Sequence, residues 1–252
     1  MTVNYTPKTV RSGDALISFI ETGKGEPLVL IHGNGEDHSC FDRQLPAFSE
    51  RYRCIAIDSR GHGRSTHGSR KLNLKLMAGD VLAVMDALGL EKAHILGFSD
   101  GGNIALHLAL KAPERIRSLI LSGANSDPSG IEPREFRQML KKRRVLALQA
   151  LFSRKAARRL EVWELMIKEP DFTQAELESI ALPALITAGE RDVILKEHTE
   201  YLHRCIKNSE LVIFKGGSHF VHIEQAALYN ETVLKFLGKH SQEDGISGKE
   251  TV

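Results

Sequence analysis

The sequence predicts an α/β protein: a mostly parallel sheet of eight strands, helices on both of its faces, and a helical insertion in the second half of the chain. Three observations predict it. Short apolar runs rich in β-branched residues recur along the chain, Gly-rich punctuation follows them, and longer segments with helical spacing separate them. Runs of this length suit strands buried on both faces. The 252 residues, 42% hydrophobic and 26% charged, have the make-up of a globular chain and exclude a disordered or fibrous one.

The elements follow in order. Residues 8–10 and 16–20 flank Ser12-Gly13-Asp14, a turn-like stretch, and predict an antiparallel hairpin at the sheet edge. Strands at 28–31 and 54–57 come next. A helix over 72–88 places Leu72, Leu76, Val81, Val84, Met85 and Leu88 at apolar positions and stops at Gly89. After a strand at 93–96, residues 103–112 are apolar nearly all round and stop before Pro113, which predicts a buried central helix. A strand at 116–121 follows.

The rhythm then breaks. About sixty residues carry only helical patterning, at 135–150, 153–168 and 173–180. One crossover helix does not need that much chain. Residues 125–181 are therefore expected to be a helical insertion laid over the sheet, with 1–124 and 182–238 as the core. Strands at 184–187 and 211–214, with helices at 196–206 and 224–237, complete that core. Residues 239–252 are polar and lack periodicity, and are expected to be a frayed tail.

Charge and cysteine content exclude several classes. Thirty-four Lys and Arg against 32 Asp and Glu leave a net charge of +2, too little for a field that recruits nucleic acid or an anionic membrane. The first thirty residues hold no apolar stretch of signal-peptide length, and no run reaches the roughly 18 to 20 residues that cross a bilayer. A cytoplasmic protein without stable membrane association is expected. Cys40, Cys54 and Cys205 are too scattered for a disulfide framework or paired zinc ligands and are expected to be reduced, Cys54 within a strand. The charge is uneven: residues 134–159 hold ten Arg and Lys against one acid, Glu135. That segment can steer acidic ligands, or simply present a solvated helix face.

Gly97-Phe98-Ser99-Asp100-Gly101-Gly102 follows a predicted strand and opens a predicted helix. A serine on such a turn projects its hydroxyl from the sheet, and glycines are needed beside it because a Cβ would strike the neighbouring strand and helix. The helix N-terminus offers unpaired amides, and that of Asp100 is placed to hold an oxyanion. A serine nucleophile needs a base, and the base needs an orienting acid. Asp192, in Gly189-Glu190-Arg191-Asp192, and His219, in Gly216-Gly217-Ser218-His219, follow the next strands. Loops leaving the C-terminal ends of parallel strands converge on one edge, so Ser99, Asp192 and His219 can meet.

Other candidates remain. Glu190 and Asp127 are alternative acids, and His222 is an alternative base; His219 ranks above it because it lies directly on the loop. Spacing suggests no third metal ligand, so no metal is expected. His32-Gly33-Asn34-Gly35 ends another strand and can present a second backbone amide; it lacks the Gly-Lys-Ser/Thr ending of a phosphate loop.

HGNG at 32–35, DSRGHGRS at 58–65, GFSDGG at 97–102, GERD at 189–192 and GGSH at 216–219 together resemble the α/β-hydrolase superfamily, in order and spacing, over about residues 15–238. Residues 96–125 are similar to the biphenyl-hydrolase-like or valacyclovirase group of serine hydrolases, which share a Ser-Asp-Gly-Gly elbow. The resemblance implies Ser99 as nucleophile, His219 as base, Asp192 as its orienter, and the amides of Asn34 and Asp100 as oxyanion hole. It implies scaffold roles for Asp58, Arg60 and Gly61, and a cap role for the insertion. Ser at 99 counts against the relatives that use a carboxylate nucleophile.

For the substrate, Asp100 either faces the pocket and favours a nearby cation, or faces the scaffold. Trp163 and Met166 are expected on the underside of the insertion, as packing or pocket wall. The expected activity is hydrolysis of small esters without a cofactor. The same residues also support thioester, amide, lactone or carbon–carbon chemistry, and a hydrolase-like receptor that binds a small molecule with little turnover is the rival class.

Overall fold

In a computed structural model, residues 5–241 are described. Eight strands form one sheet in the order β1-β2-β4-β3-β5-β6-β7-β8. β1 (Lys8–Ser12) and β2 (Ala15–Thr22) make the expected antiparallel hairpin, and β2 also runs antiparallel to β4 (Tyr52–Ile57). β3 (Glu26–Ile31), β5 (Ala93–Phe98), β6 (Ile116–Ser122), β7 (Ala184–Arg191) and β8 (Ser209–Ser218) continue in parallel.

Strand periodicity divides the core between two faces. Val29 and Ile31 of β3 point into one cluster, with α2 (Leu74–Ala87), α3 (Asp100–Lys111) and α7 (Lys196–Cys205) supplying Val81, Leu108 and Leu202. Leu28 and Leu30 point into the other, with Phe48 of α1 (Leu45–Phe48), Val221 of α8 (Val221–Glu224) and Phe236 of α9 (Ala226–His240). These strand residues are essentially fully buried. Continuous apolar runs are therefore necessary, because neither face meets water.

Three helices lie between β6 and β7: α4 (Pro133–Ala150), α5 (Arg154–Lys168) and α6 (Gln174–Glu178). Side chains and backbone of α5 and the residue after it hold this segment to the sheet edge. Glu161 accepts from Leu72 N at 2.6 Å, Glu169 from Leu74 N at 2.7 Å, and Val162 O from Asn34 Nδ2 at 2.7 Å. Among the described residues, no helix is long and apolar enough to cross a membrane.

Several boundaries differ from expectation. α3 starts at Asp100 rather than 103, because the glycines that weaken helix propensity here sit in its first turn. The last helix is broken at Gln225 into α8 and α9. α1 is a single turn, too short to show a period. β7 and β8 run past their apolar segments, so Gly189 to Arg191 and Gly216 to Ser218 are strand residues rather than loop. The close approach of those ends needs Gly189, where a Cβ would lie 2.2 Å from Ser218 O. Lys239 and His240, expected to belong to a tail, are the last residues of α9, and the rest of that expectation, from residue 242, lies outside the described residues. Cys40, Cys54 and Cys205 are free thiols, Cys54 inside β4.

Candidate active site

β3 pairs with β4 on one side and β5 on the other, so the chain reverses its direction of travel across the sheet there. Outside the carboxyl ends of such strands a crevice opens. Ser99 stands on that edge between β5 and α3, with φ +53° and ψ −121°, the one non-Gly residue at positive φ among those described. A backbone in this region costs of order 1–3 kcal/mol and persists only where its surroundings enforce it. Here Ser99 N donates to Ser122 O at 2.7 Å, and Ser99 O accepts from Gly102 N at 2.8 Å. Close packing completes the constraint: a Cβ on Gly97 would lie 2.2 Å from Gly101 O, and one on Gly101 would lie 2.0 Å from Ile31 O.

The structure brings Ser99, His219 and Asp192 together. In the tautomer with Nδ1 protonated, His219 donates to Asp192 Oδ1 at 2.6 Å, and its Nε2 accepts from the Ser99 hydroxyl at 3.1 Å. Asp192 is held in turn by Ile194 N at 2.9 Å, and its side chain is almost fully buried. His219 leans on the Phe98 ring at 4.9 Å between centroids. It also packs over Gly123, where a Cβ would come within 2.8 Å of the imidazole. The signal for Gly123 in the sequence is its place directly after β6, at the C-terminal edge of the sheet.

The alternatives lie elsewhere. Asp127 caps a short turn through Ser129 N at 2.9 Å and faces His198. Exposed Glu190 accepts from Gly216 N at 2.8 Å. His222 is buried against Phe98 at 4.2 Å between centroids, and burial pushes its pKa down to about 3. It is therefore neutral and off the Ser99 side of the chain of hydrogen bonds.

A cavity of about 210 Å³ opens at Ser99, walled by Phe98, Met139, Met166, Ile194 and Phe220. Three carboxylates also border it: Asp100, Glu36 and Glu169. Burial raises the pKa of each, that of Asp100 to about 6. Of the three only Asp100 is marked by a motif in the sequence; Glu36, on a loop, and Glu169, just past α5, have none. Asp100 is 7% exposed and its Oδ2 accepts from Asn34 Nδ2 at 2.9 Å, so it borders the cavity and binds the scaffold at once. Neither the Asn34 nor the Asp100 amide N–H donates to a partner among the described residues. Trp163 lies outside this small cavity. It lines a wider groove of about 1130 Å³ that shares Asn34 and Glu36 with it, and its indole N–H donates to Met139 O at 3.0 Å.

Asp37, His38 and Asp58 bring ligand-type atoms within 4.8 Å of one another. Asp58, however, already accepts from His38 N, His38 Nδ1 and Arg64 N at 2.7 to 2.9 Å, and serves to pin two loops.

The titration of Asp100 has a measurable consequence. A carboxyl whose value in the folded chain lies above its ordinary 3.8 holds its proton longer when folded, so stability falls as pH rises from about 4 to about 6. Asp100→Asn is expected to melt higher than wild type at pH 7, with the gap narrowing towards pH 4. A gap constant across that range in thermal melts would show that Asp100 does not titrate there.

A serine–histidine–carboxylate chain at the carboxyl edge of a mostly parallel sheet defines a class, the hydrolases of open α/β architecture. The family model described as alpha/beta hydrolase fold matches residues 26–175, and the chain belongs to that family. It is an enzyme of hydrolase type. It is 30% identical over 255 residues to serine hydrolase BPHL of Homo sapiens, covering 93% of this chain and 87% of the relative. It is 28% identical to the uncharacterized carboxylesterase nap of Bacillus subtilis (strain 168), covering 88% and 81%. The crystal structure of a hydrolase from Pseudomonas aeruginosa PA01 superposes with a TM-score of 0.79 at 26% identity, covering 92% of this chain and 98% of that one.

Proposed function

We propose that the protein is a carboxylesterase of small esters that works through an acyl-enzyme on Ser99. The observation that carries this reading is the hydrogen-bonded sequence Ser99–His219–Asp192. His219 Nε2 takes the hydroxyl proton as Ser99 Oγ attacks the ester carbonyl. The amides of Asn34 and Asp100 receive the oxyanion, a role supported by their lack of other partners. Collapse of the tetrahedral adduct expels the alcohol, which takes the proton from His219. Water then enters by the same path and releases the acid. Asp192 keeps the imidazole in the required tautomer and stabilises the imidazolium. Helices α4 to α6 act as a cap, a role supported by the contribution of Met139 and Met166 to the cavity wall. The chemistry needs no cofactor.

Turnover on a panel of p-nitrophenyl esters tests this directly. Repeated turnover at roughly 1 per second or faster on a short acyl chain is expected. A single slow turnover coupled to ligand-dependent association with another protein would mark a receptor instead.

Three carboxylates around a cavity of about 210 Å³ favour a cationic group near the scissile carbonyl, as in an α-amino ester. Wild type is expected to hydrolyse an α-amino ester faster than its deaminated analogue, and Asp100→Asn to reduce that preference. If the preference survives the substitution, Asp100 does not read the cation.

A further inference from the structure

The wide groove next to the Ser99 cavity is strongly cationic. Lys142 of α4, Arg154, Lys155, Arg158 and Arg159 of α5, and Arg11 of β1 line it. Two carboxylates, Asp14 and Glu36, face them. Asp14 is already matched by Arg60 and Arg70, and Glu36 accepts from Gly33 N. None of the six cations forms a salt bridge among the described residues, whereas Arg143 and Lys168, on the same two helices but outside the groove lining, both pair with Glu164.

Helix stability does not account for this placement. Arg154 and Arg158, and likewise Lys155 and Arg159, are like charges four residues apart, a spacing that destabilises a helix. Arg154 and Lys155 also sit in its first turn, which holds no acid and where the helix dipole disfavours positive charge. A multiply charged anion in the groove relieves both costs. The sign is opposite in the inner cavity, where Asp100 and Glu169 border Ser99. An anionic group is thereby directed away from the reacting carbonyl and into the outer space. That space, about 1130 Å³, is larger than most drug-sized ligand pockets and suits an extended group.

We propose that this groove binds a phosphate-bearing arm of the acyl donor, remote from the scissile bond. The inference rests on the esterase reading of Ser99 and extends it to the substrate class. The arm enters beside Asn34, which with Glu36 borders both spaces.

Two thioesters with the same acyl group separate the arm from the reaction: acetyl-coenzyme A, which carries phosphates, and S-acetyl-N-acetylcysteamine, which carries none. At low ionic strength kcat/KM is expected to be about tenfold or more higher for the phosphate-bearing donor, mainly through KM, with the advantage fading in high salt. Arg154→Glu/Arg158→Glu is expected to lower the ratio of the two kcat/KM values about tenfold, and Arg154→Gln/Arg158→Gln to lower it less. Melting temperatures establish that both variants fold. The single tryptophan, Trp163, lines the groove under the Lys142 ammonium, so its fluorescence reports occupancy without turnover. Titration with inorganic tripolyphosphate and with adenosine 3′,5′-bisphosphate is expected to give saturable changes that the Glu variant weakens. A response to both marks charge recognition, and a response to the nucleotide alone marks a nucleotide arm. Equal kcat/KM for the two thioesters, or a ratio unmoved by charge reversal, overturns the proposal while leaving the esterase reading intact. If neither thioester nor any neutral ester is hydrolysed, the esterase reading falls, and absence of a saturable Trp163 response overturns the groove separately.

Discussion

Ser99→Ala is expected to lower ester turnover by on the order of 10⁴ or more, with KM little changed. The acyl-enzyme cannot form without Ser99 Oγ, and among the described residues His219 Nε2, 3.1 Å away, has no other hydroxyl hydrogen bond to accept. Residual rate would come from binding and from the two free amides. A fluorophosphonate probe should label wild type at Ser99 and fail to label the variant. Full activity in Ser99→Ala, on a sample shown free of contaminating esterase by the same probe, would remove the mechanism altogether. His219→Ala should fall to a similar level, because residues that act as one unit do not contribute additively.

Arg60→Met is expected to destabilise the fold by about 3–5 kcal/mol, the usual consequence of removing one partner from a buried ion pair. Arg60 is completely buried. Its Nε and Nη2 donate to the two oxygens of Asp80 at 2.8 and 2.6 Å, Nη1 donates to Asp14 at 2.7 Å, and Nη2 also reaches Ser12 O at 3.1 Å. One guanidinium thus joins the loop after β4 to the edge hairpin and to α2. Without it, Asp80 is left as a nearly buried carboxylate whose one remaining side-chain partner among the described residues is the Ser12 hydroxyl. Urea denaturation measures the loss. A change below about 1 kcal/mol would mean that the pair behaves like a solvated surface bridge. Arg60→Met/Asp80→Leu should recover part of the loss, since removing both charges also removes the desolvation cost.

The fold was legible because its signals are local. Each of the eight described strands contains one of the segments expected to be a strand, and Gly89 and Pro113 follow the ends of α2 and α3 where expected. The start of α3 was harder to read, since Gly101 and Gly102 argue against a helix until their contact with β3 and β5 is known. The extensions of β7 and β8 were hidden for a similar reason: Gly216 and Gly217 read as a loop, and they fall in an irregularity of the ladder, Gly216 at φ +69°, with pairing resuming only where Ser218 meets Arg191.

The site was legible in part. Ser99, Asp192 and His219 each stand beside glycine punctuation at a strand end, and the parallel topology carries such positions to one edge. Choosing among carboxylates was less secure in one dimension. Asp127, Glu190 and Asp192 are all near strand ends, and only the distance to His219 Nδ1 separates them. His222 is three residues from His219, yet the turn of α8 buries it among aromatic rings instead.

By itself, then, the sequence determined the strand and helix pattern, the strained serine turn and the basic segment, because spacing and residue type encode these within a few residues of chain. Only the tertiary structure decided which acid meets His219, that Glu36 and Glu169 join Asp100 around the cavity, and that six cations from three elements share one groove with Trp163. Those properties depend on distances between residues far apart in the chain and on how completely each is removed from water, and neither quantity exists until the sheet has closed on its helices.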